Sequence, residues 1–347
     1  MAFLDSQLHI NVPLTDFAVA YRADLDGYMW SKLLPPKIVT KRSDYIRQID
    51  KGNLLRKYDL RVGKGGRISE VQFKIGNNFQ FNAVDYAVKT ILRNSEAANA
   101  DDILEYEHEQ MYHALVAMHT NIEVITIKET LRDPAQLTQN VTLAPGFRWD
   151  DYTSLNSDPV DDFKIGIQKV ENLTTKEPNI IFMHKMVWDR VQRHPRVLLR
   201  GGVHPTGGAV VSIEQFEKIL GVAPGTIVLT TQNYNVALED QTPDFRSMIG
   251  PDCIIARVET PSVRSYGLGC SFMFQGDGFG SNLQTIPELG TPFLVYQYPE
   301  YQSDPRLGTA LNLVGGLDQK ILVPDAGYLI KDCVTKTAAR YGNFLNN

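Results

Sequence analysis

The sequence predicts an α+β chain, and three observations carry that prediction. Two short runs of alternating apolar and polar residues flank a glycine-rich turn near Lys64. A long helical stripe follows, and then a stretch of alternating helix and strand signals gives way to strands toward the C-terminus. With 347 residues the chain can make two domains, or one with large excursions. Its 43% hydrophobic and 22% charged residues are the balance of a chain that buries a core, which excludes disorder, collagen and coiled coil as global descriptions.

At the front, Ala18, Tyr21, Leu25, Tyr28 and Met29 keep helical spacing until Pro35-Pro36 stops them. So short an amphipathic element has no core of its own and reads as an arm. Next, Tyr58, Leu60 and Val62 alternate with Asp59 and Arg61. Beyond the Gly63-Lys64-Gly65-Gly66 turn, Val71, Phe73 and Ile75 alternate with Glu70, Gln72 and Lys74. Period two on both sides of such a turn predicts a hairpin. A two-stranded ribbon is marginal alone in water, so it either lies on its own domain or reaches onto a neighbouring molecule.

Leu104, Met111, Leu115, Met118, Ile122 and Ile125 recur at helical steps, predicting a helix from about Asn99 to Arg132. Acids from Asp101 to Glu109 fall in its first turns, where the helix dipole favours negative charge. Helix propensity drops after Asn121, at the β-branched run Val124-Ile125-Thr126-Ile127. Asp158-Pro159 opens a helix carrying Val160, Phe163, Ile167 and Val170, and 179–183 is a short buried strand. A helix with Val187, Trp188 and Val191 is expected to end at His194-Pro195. Ser212-Ile213-Glu214-Gln215 is a capping box opening a helix that stops at Gly221. Strands are expected over 226–231, 253–258, 270–274, 292–298 and 320–323.

Charge is segregated. Between Lys32 and Lys74 twelve bases face four acids, a net of +8 that leaves −13 on the rest of a chain whose total is −5. Immediately downstream, six acids from Glu96 to Glu109 stand with no Lys or Arg among them. Such a basic arm and acidic remainder attract across copies as readily as within one. Two other readings are a solvated surface and nucleic-acid binding by the basic stretch. Against the latter, the aromatics there alternate with strand period instead of forming a stacking platform.

Motifs of chemistry are missing. There is no P-loop and no GxSxG elbow, and the glycine clusters at 63–66 and 276–280 lack the strand–GxGxxG–helix context of a dinucleotide site. His184, His194 and His204 are spaced by ten, which matches no zinc pattern. Glu105, Glu109 and His113 share a helix face that reads as a solvated flank. Cys253, Cys270 and Cys333 form no CxxC pair, so reduced thiols of a cytosolic product are expected. No secretory signal opens the sequence and no window approaches a membrane span. The expectation is a soluble intracellular product with no catalytic, cofactor-binding or metal residues.

Trp149-Asp150-Asp151, Ser157-Asp158-Pro159, Glu177-Pro178-Asn179 ahead of an apolar strand, and a helix closing on His194-Pro195 together resemble tailed-bacteriophage major capsid proteins of the Hong Kong 97-type fold. Asn233-Tyr234-Asn235, the strand at 253–258 and the run from Pro324 to Ile330 sit where that family has similar segments, and the likeness in layout spans residues 15–335. The resemblance implies an N-terminal arm over 1–54 and an extended β-hairpin loop over 55–82. It implies a peripheral domain over 83–156 whose spine helix covers about 99–132, and an α/β axial domain over 157–262. Residues 263–347 would supply return strands of the peripheral domain and the C-terminus.

The implied function is a shell subunit, not an enzyme: hexamers and pentamers of this chain closing an icosahedral capsid around a double-stranded DNA genome, bound without sequence specificity. The implied location is the virion, with assembly in the host cytoplasm. Other implied partners are a separate scaffolding protein where one is needed, a portal and a decoration protein; no membrane is involved. Arg56, Lys57, Arg61, Lys64 and Arg67 are the candidate interface cations, with Glu105 and Glu109 as candidate acidic partners. Some relatives crosslink a loop lysine to an asparagine with a glutamate's help. Lys64 sits at the loop tip, but no matching asparagine or glutamate is found, so no crosslinking is expected. The alternatives are an encapsulin-type compartment enclosing enzymes, and an α/β enzyme over 157–262 using the front end as an oligomerisation arm.

Overall fold

Prolines set the first turn of the described chain. The computed structural model describes residues 9–10, 27–49, 57, 61, 75–93, 103–202, 204, 209–238, 241–260, 267–274, 294–299 and 309–335. After β1 (His9–Ile10), α1 (Trp30–Leu33) is a single turn, because a residue ahead of proline is pushed out of helical backbone and Pro35-Pro36 follows at once. β2 (Pro36–Val39) starts on the second proline, a position a sheet edge tolerates. The helix expected over 18–29 lies mostly outside the described residues; Gly27 to Met29 is not helical, and the helix is the four residues after it.

β3 (Ser43–Ile49) and β4 (Ile75–Asn82) form an antiparallel ribbon, running from Ser43 opposite Asn82 to Ile49 opposite Ile75. The alternating runs at 58–62 and 71–75 and their glycine turn lie outside the described residues apart from Arg61 and Ile75. The ribbon's root therefore starts at Ser43, within a stretch read from sequence as arm. Its inner face rests on its own chain: Phe81 stacks on Phe272 with ring centroids 4.7 Å apart, and Ile46 packs beside them. β5 (Val84–Leu92) continues directly from the ribbon.

The long helix α2 runs Ile103–Val124 and passes into a π-helical segment, Ile125–Leu131. Thr126 and Thr130 hydroxyls donate back to the carbonyls of Ile122 and Ile125, competing with the α-helical ladder at the β-branched run. The Arg132 amide closes the segment on the carbonyl of Ile127 at 2.9 Å. After β6 (Asn140–Thr142) come α3 (Pro159–Thr174), β7 (Ile180–His184), α4 (Lys185–Val191), α5 (Pro195–Arg200), α6 (Ile213–Leu220), β8 (Ile227–Thr230), the small hairpin β9 (Asn233–Asn235) and β10 (Phe245–Ser247), and β11 (Cys253–Ala256).

Local chemistry explains the helix starts. Asp158 caps α3 by accepting from the amides of Val160 and Asp161, and Ser212 and Gln215 form the capping box of α6, which ends on Gly221 at φ 80°. Pro195 corrects one expectation. It does not end a helix but occupies the first position of α5, with His194 as the cap, because proline at that position loses no hydrogen bond.

The remaining strands are β12 (Gly269–Phe274), β13 (Leu294–Pro299), β14 (Thr309–Ile321) and β15 (Gly327–Lys331). Sheet one has β14 as its hub. β5 pairs along one side of it, while β13 and then β12 follow each other along the other side; β1 joins β13, and β2 joins β12 in parallel. The neighbour changes at Gly315-Gly316, where a Cβ on Gly316 would stand 3.1 Å from that of Phe274. Sheet two runs β6-β15-β11-β7-β8. Residues 327–331, expected among the return strands and C-terminus, form β15 inside sheet two, between β6 and β11. Gly327 to Ile330 are buried throughout, and such a run needs a slot covered on both faces.

Three cores result. α3 to α6 cover one face of sheet two, around Trp149, Phe163, Trp188 and Phe216. The π segment, α1 and the root of the β9–β10 hairpin cover the other, around Phe182, Ile254 and Leu329. α2 lays Met111, Leu115, Met118 and Ile122 on Leu311, Leu313 and Leu317 of sheet one. Full burial of each such side chain contributes about 1.5–3 kcal/mol.

Candidate functional site

The ribbon root borders an open groove on the surface. β5 pairs with β14 only as far as Leu317, so among the described residues no strand covers that side of Asp318 to Ile321. An open groove of about 520 Å³ results, lined by Ser43, Gln80, Asn82, Val84, Asp318 and Lys320. The Asn82 amide donates to Asp318 Oδ2 at 2.7 Å, which ties the ribbon to the end of β14. Arg42 pairs with Asp85 at 2.9 Å and lies over the Phe274 ring at 5.2 Å. Lys41 donates to Asp44 at 3.0 Å, and this bond, with the Tyr45 amide, lowers the Asp44 carboxyl. Tyr45 and Val84 point outward, 63% and 53% exposed.

Of the residues chosen from sequence, Lys57 and Arg61 are exposed. Arg56, Lys64 and Arg67 lie outside the described residues. Glu105 falls in the first turn of α2, and Glu109 is exposed, its Oε1 4.0 Å from His113 Nε2.

Sequence reasoning missed a buried junction that docks the front of the chain on α2. Glu123 is fully buried and accepts from the backbone amides of Met29 at 3.0 Å and Trp30 at 2.7 Å. The Trp30 indole donates to His119 Nδ1 at 3.2 Å, and Tyr28 Oη lies 2.8 Å from Thr120 Oγ1. Burial pushes Glu123 up to about 7 against the pull of the two amides, and pushes His119 down to about 4. The available signal was an i,i+4 His–Glu pair inside an apolar stripe, but its partners stand some 90 residues away. A second missed junction joins Arg132 to Asp252 at 2.7 Å, both buried; Asp252 also accepts from the Asp332 amide at 2.9 Å.

One constellation resembles a nucleophile–base pair and is built differently. Ser157 Oγ lies 3.1 Å from His194 Nε2. His194 Nδ1 accepts from the Arg196 amide as the α5 cap, so in the neutral ring Nε2 carries the proton and donates to Ser157. Ser157 in turn donates to the Arg148 carbonyl at 2.7 Å. A base must offer a lone pair to the nucleophile, and this ring offers a proton. Burial lowers His194 to about 4. Asp158 beside it is drawn below the ordinary carboxylate range: its burial would raise it, but bonds from Arg196 and the Asp161 amide, with the charge of Arg200, outweigh that. Trp149 Nε1 donates to Asp162 at 2.8 Å, and burial still pushes Asp162 up to about 6.

Cys253, Cys270 and Cys333 are buried free thiols whose burial raises them, Cys270 to about 12, which makes them poor nucleophiles. Among the described residues no group of three His, Cys, Asp or Glu side chains could hold a metal, and no helix is long and apolar enough to cross a membrane.

No protein-family model matches the chain, and no curated protein matches its sequence. Solved structures do match its fold. A phage-related protein from Bordetella bronchiseptica RB50 superposes with a TM-score of 0.68 at 18% identity, over 94% of this chain and 98% of that one. The SrpI encapsulin complex of Synechococcus elongatus PCC 7942 gives 0.52 at 14% identity, over 88% and 87%. The capsid structure of the cyanophage P-SCSP1u gives 0.51 at 10%, over 88% of each. The chain therefore has the mixed α+β fold of phage-capsid and encapsulin shell proteins, as the segments from Trp149 to Pro195 suggested.

Proposed function

We propose that this chain is a shell subunit: the major capsid protein of a tailed phage, assembling as hexamers and pentamers into an icosahedral container for double-stranded DNA. One observation carries the reading, the shared fold over nearly the whole length of a phage-related protein and of a phage capsid chain. In this reading residues 1–54 are the arm, 55–82 the extended loop with its ribbon root reaching back to Ser43, α2 the spine, and 157–262 the axial domain. The function is mechanical, and weak contacts suffice because each subunit touches several neighbours. DNA is held without sequence recognition, and scaffolding, portal and decoration proteins are further partners.

The cations Arg56, Lys57, Arg61, Lys64 and Arg67 steer the loop toward acidic surface on the next subunit, for which Glu105 and Glu109 are candidates. Exposed attraction of this kind is screened over about 10 Å at 0.1 M salt. Reversing Arg61, Lys64 and Arg67 to Glu is therefore expected to impair assembly while leaving the monomer's melting temperature unchanged. Normal assembly of the triple variant across salt concentrations would sink the steering role.

The second reading is an encapsulin-type compartment, favoured by the likeness to the SrpI encapsulin. Sedimentation of the expressed protein, with electron microscopy of the fast fraction, tests both. Closed shells or capsomer rings are expected; packaged DNA selects the capsid and enclosed enzyme selects the compartment. A monomer that persists even with a scaffolding partner would overturn the shell reading.

A further inference from the structure

Three contacts fasten the front of the chain to one side of α2. Tyr28 Oη lies 2.8 Å from Thr120 Oγ1, the Trp30 indole donates to His119 Nδ1, and Glu123 accepts from the amides of Met29 and Trp30. His119 and Glu123 stand one helical turn apart, so both reach the same short segment. Trp30 then enters the core beneath α2, while Leu33 and Leu34 enter the core behind sheet two, so α1 joins two cores. Glu123 also replaces a missing local cap. Met29 stands at the cap position of α1, and its side chain makes no cap bond. Amides at a helix start lack partners inside the helix, and here a side chain of α2 supplies one.

The Glu123 carboxyl is wholly buried, and among the described residues no cation pairs with it. The titratable groups beside it are Tyr28 on the front of the chain and His119 on α2. Sheet one reaches α2 nearby through Gln319, a neutral side chain bonded to Thr126. Burial keeps His119 neutral above about 4 and raises the Tyr28 hydroxyl above 10. Glu123, pushed up to about 7, is then the group of this junction that changes charge near neutrality.

We propose that Glu123 is the catch of a pH-sensitive latch: residues 28–34 dock tightly on α2 while its carboxyl is neutral and loosen when it ionises. A buried carboxylate without a cation keeps only the two amides as compensation, whereas undocking returns it to water. The neutral acid still accepts from both amides and carries no such cost. Undocking therefore releases a proton between 4.5, the ordinary value of an exposed glutamate, and about 7, so rising pH favours release. The latch stands on the fold and is independent of the shell reading. In that reading it sets how residues 1–54 are presented to neighbouring copies.

The test is hydrogen exchange of the full chain, read by mass spectrometry and corrected for the intrinsic rate at each pH. It follows two peptides, 27–34 at the front and 111–122 on α2. Protection of 27–34 is expected to fall on the order of fiftyfold between about pH 5 and about pH 8, as a carboxyl moving between 4.5 and about 7 dictates. The α2 peptide should keep its protection. Glu123→Gln retains an accepting oxygen but cannot ionise, and should abolish the pH dependence. Thr120→Val breaks the Tyr28 bond without touching a charge, and should lower protection of 27–34 by one factor at both pH values. Constant wild-type protection of 27–34, or an equal fall in the α2 peptide, overturns the latch. So does a pH dependence that survives Glu123→Gln, or one that vanishes in Thr120→Val while protection persists. These outcomes leave the shell reading untouched, because sedimentation decides that separately.

Discussion

Helices α3, α4, α5 and α6 around sheet two each begin on a side-chain cap, and Trp149, Phe163 and Phe216 behind them are fully buried. At the ribbon root the same chain leaves Tyr45 and Val84 mostly exposed beside an open groove. The first region caps its helix starts and fills its core from within. The second satisfies only its inner face, through Phe81 and Phe272, and keeps apolar area on the outside. In the shell proposed above, stability and assembly fall to different parts of the surface, and substitutions can separate them.

The largest effect should come from the α/β core. Phe163→Ala removes a ring packed on Trp149 at 4.8 Å and Phe216 at 5.5 Å, and is expected to cost about 3–5 kcal/mol in denaturant unfolding. A loss under about 1 kcal/mol would mean that this region is not the self-sufficient one. Next is Arg132→Ala, which strands the Asp252 carboxylate in a buried site and should cost about 3 kcal/mol. Replacing both partners by apolar residues should recover most of that loss in thermal melts, because the penalty lies in the unpaired charge.

The pH profile sharpens the same contrast. Burial holds His184 and His194 near 4, below the ordinary histidine value of 6.5. Between those values the unfolded chain binds protons that the folded chain refuses, so stability falls as pH drops from 6.5 toward 4. After allowing for partial solvent screening, each ring contributes on the order of 1 kcal/mol to that fall. His194→Asn, which keeps a capping side chain, should flatten the slope; an unchanged slope would reject the assignment. Asp162 and Glu123 act in the opposite sense. Their raised carboxyls favour the folded state while protonated, and that gain is lost as pH rises through about 6 and about 7. The smallest folding effect is expected at the ribbon root, where Tyr45→Ser and Val84→Ser should each change stability by no more than about 0.5 kcal/mol. Their effect should appear in sedimentation as weakened assembly, and a large stability loss with normal assembly would break the comparison.

What was readable from sequence depended on distance along the chain. The caps at Asp158 and Ser212 and the stripe on α2 involve residues within a few turns of each other. Pro195 misled because proline after an apolar helix marks either an end or a beginning, and only the His194 cap decides between them. β3 escaped notice because Ser43 to Ile49 interleaves Asp44, Arg47 and Gln48 with Tyr45 and Ile46, giving no clean apolar face. Glu123 and Arg132 carry no local sign of burial in the sequence, and each is buried with a partner 90 or more residues away.

By itself, then, the sequence determined the α+β class, the long helix with its weak end at the β-branched run, the capped helices of the α/β unit, and the resemblance to capsid proteins. Those features arise from short-range periodicity, propensity and capping, which act wherever the residues stand. Only the tertiary structure decided that β15 fills a slot inside sheet two, that β14 serves three neighbours, and that Glu123 fastens the front of the chain to α2. Each of these depends on which distant segments share a face, and a backbone partner or a buried charge acquires its meaning only when the chain has closed around it.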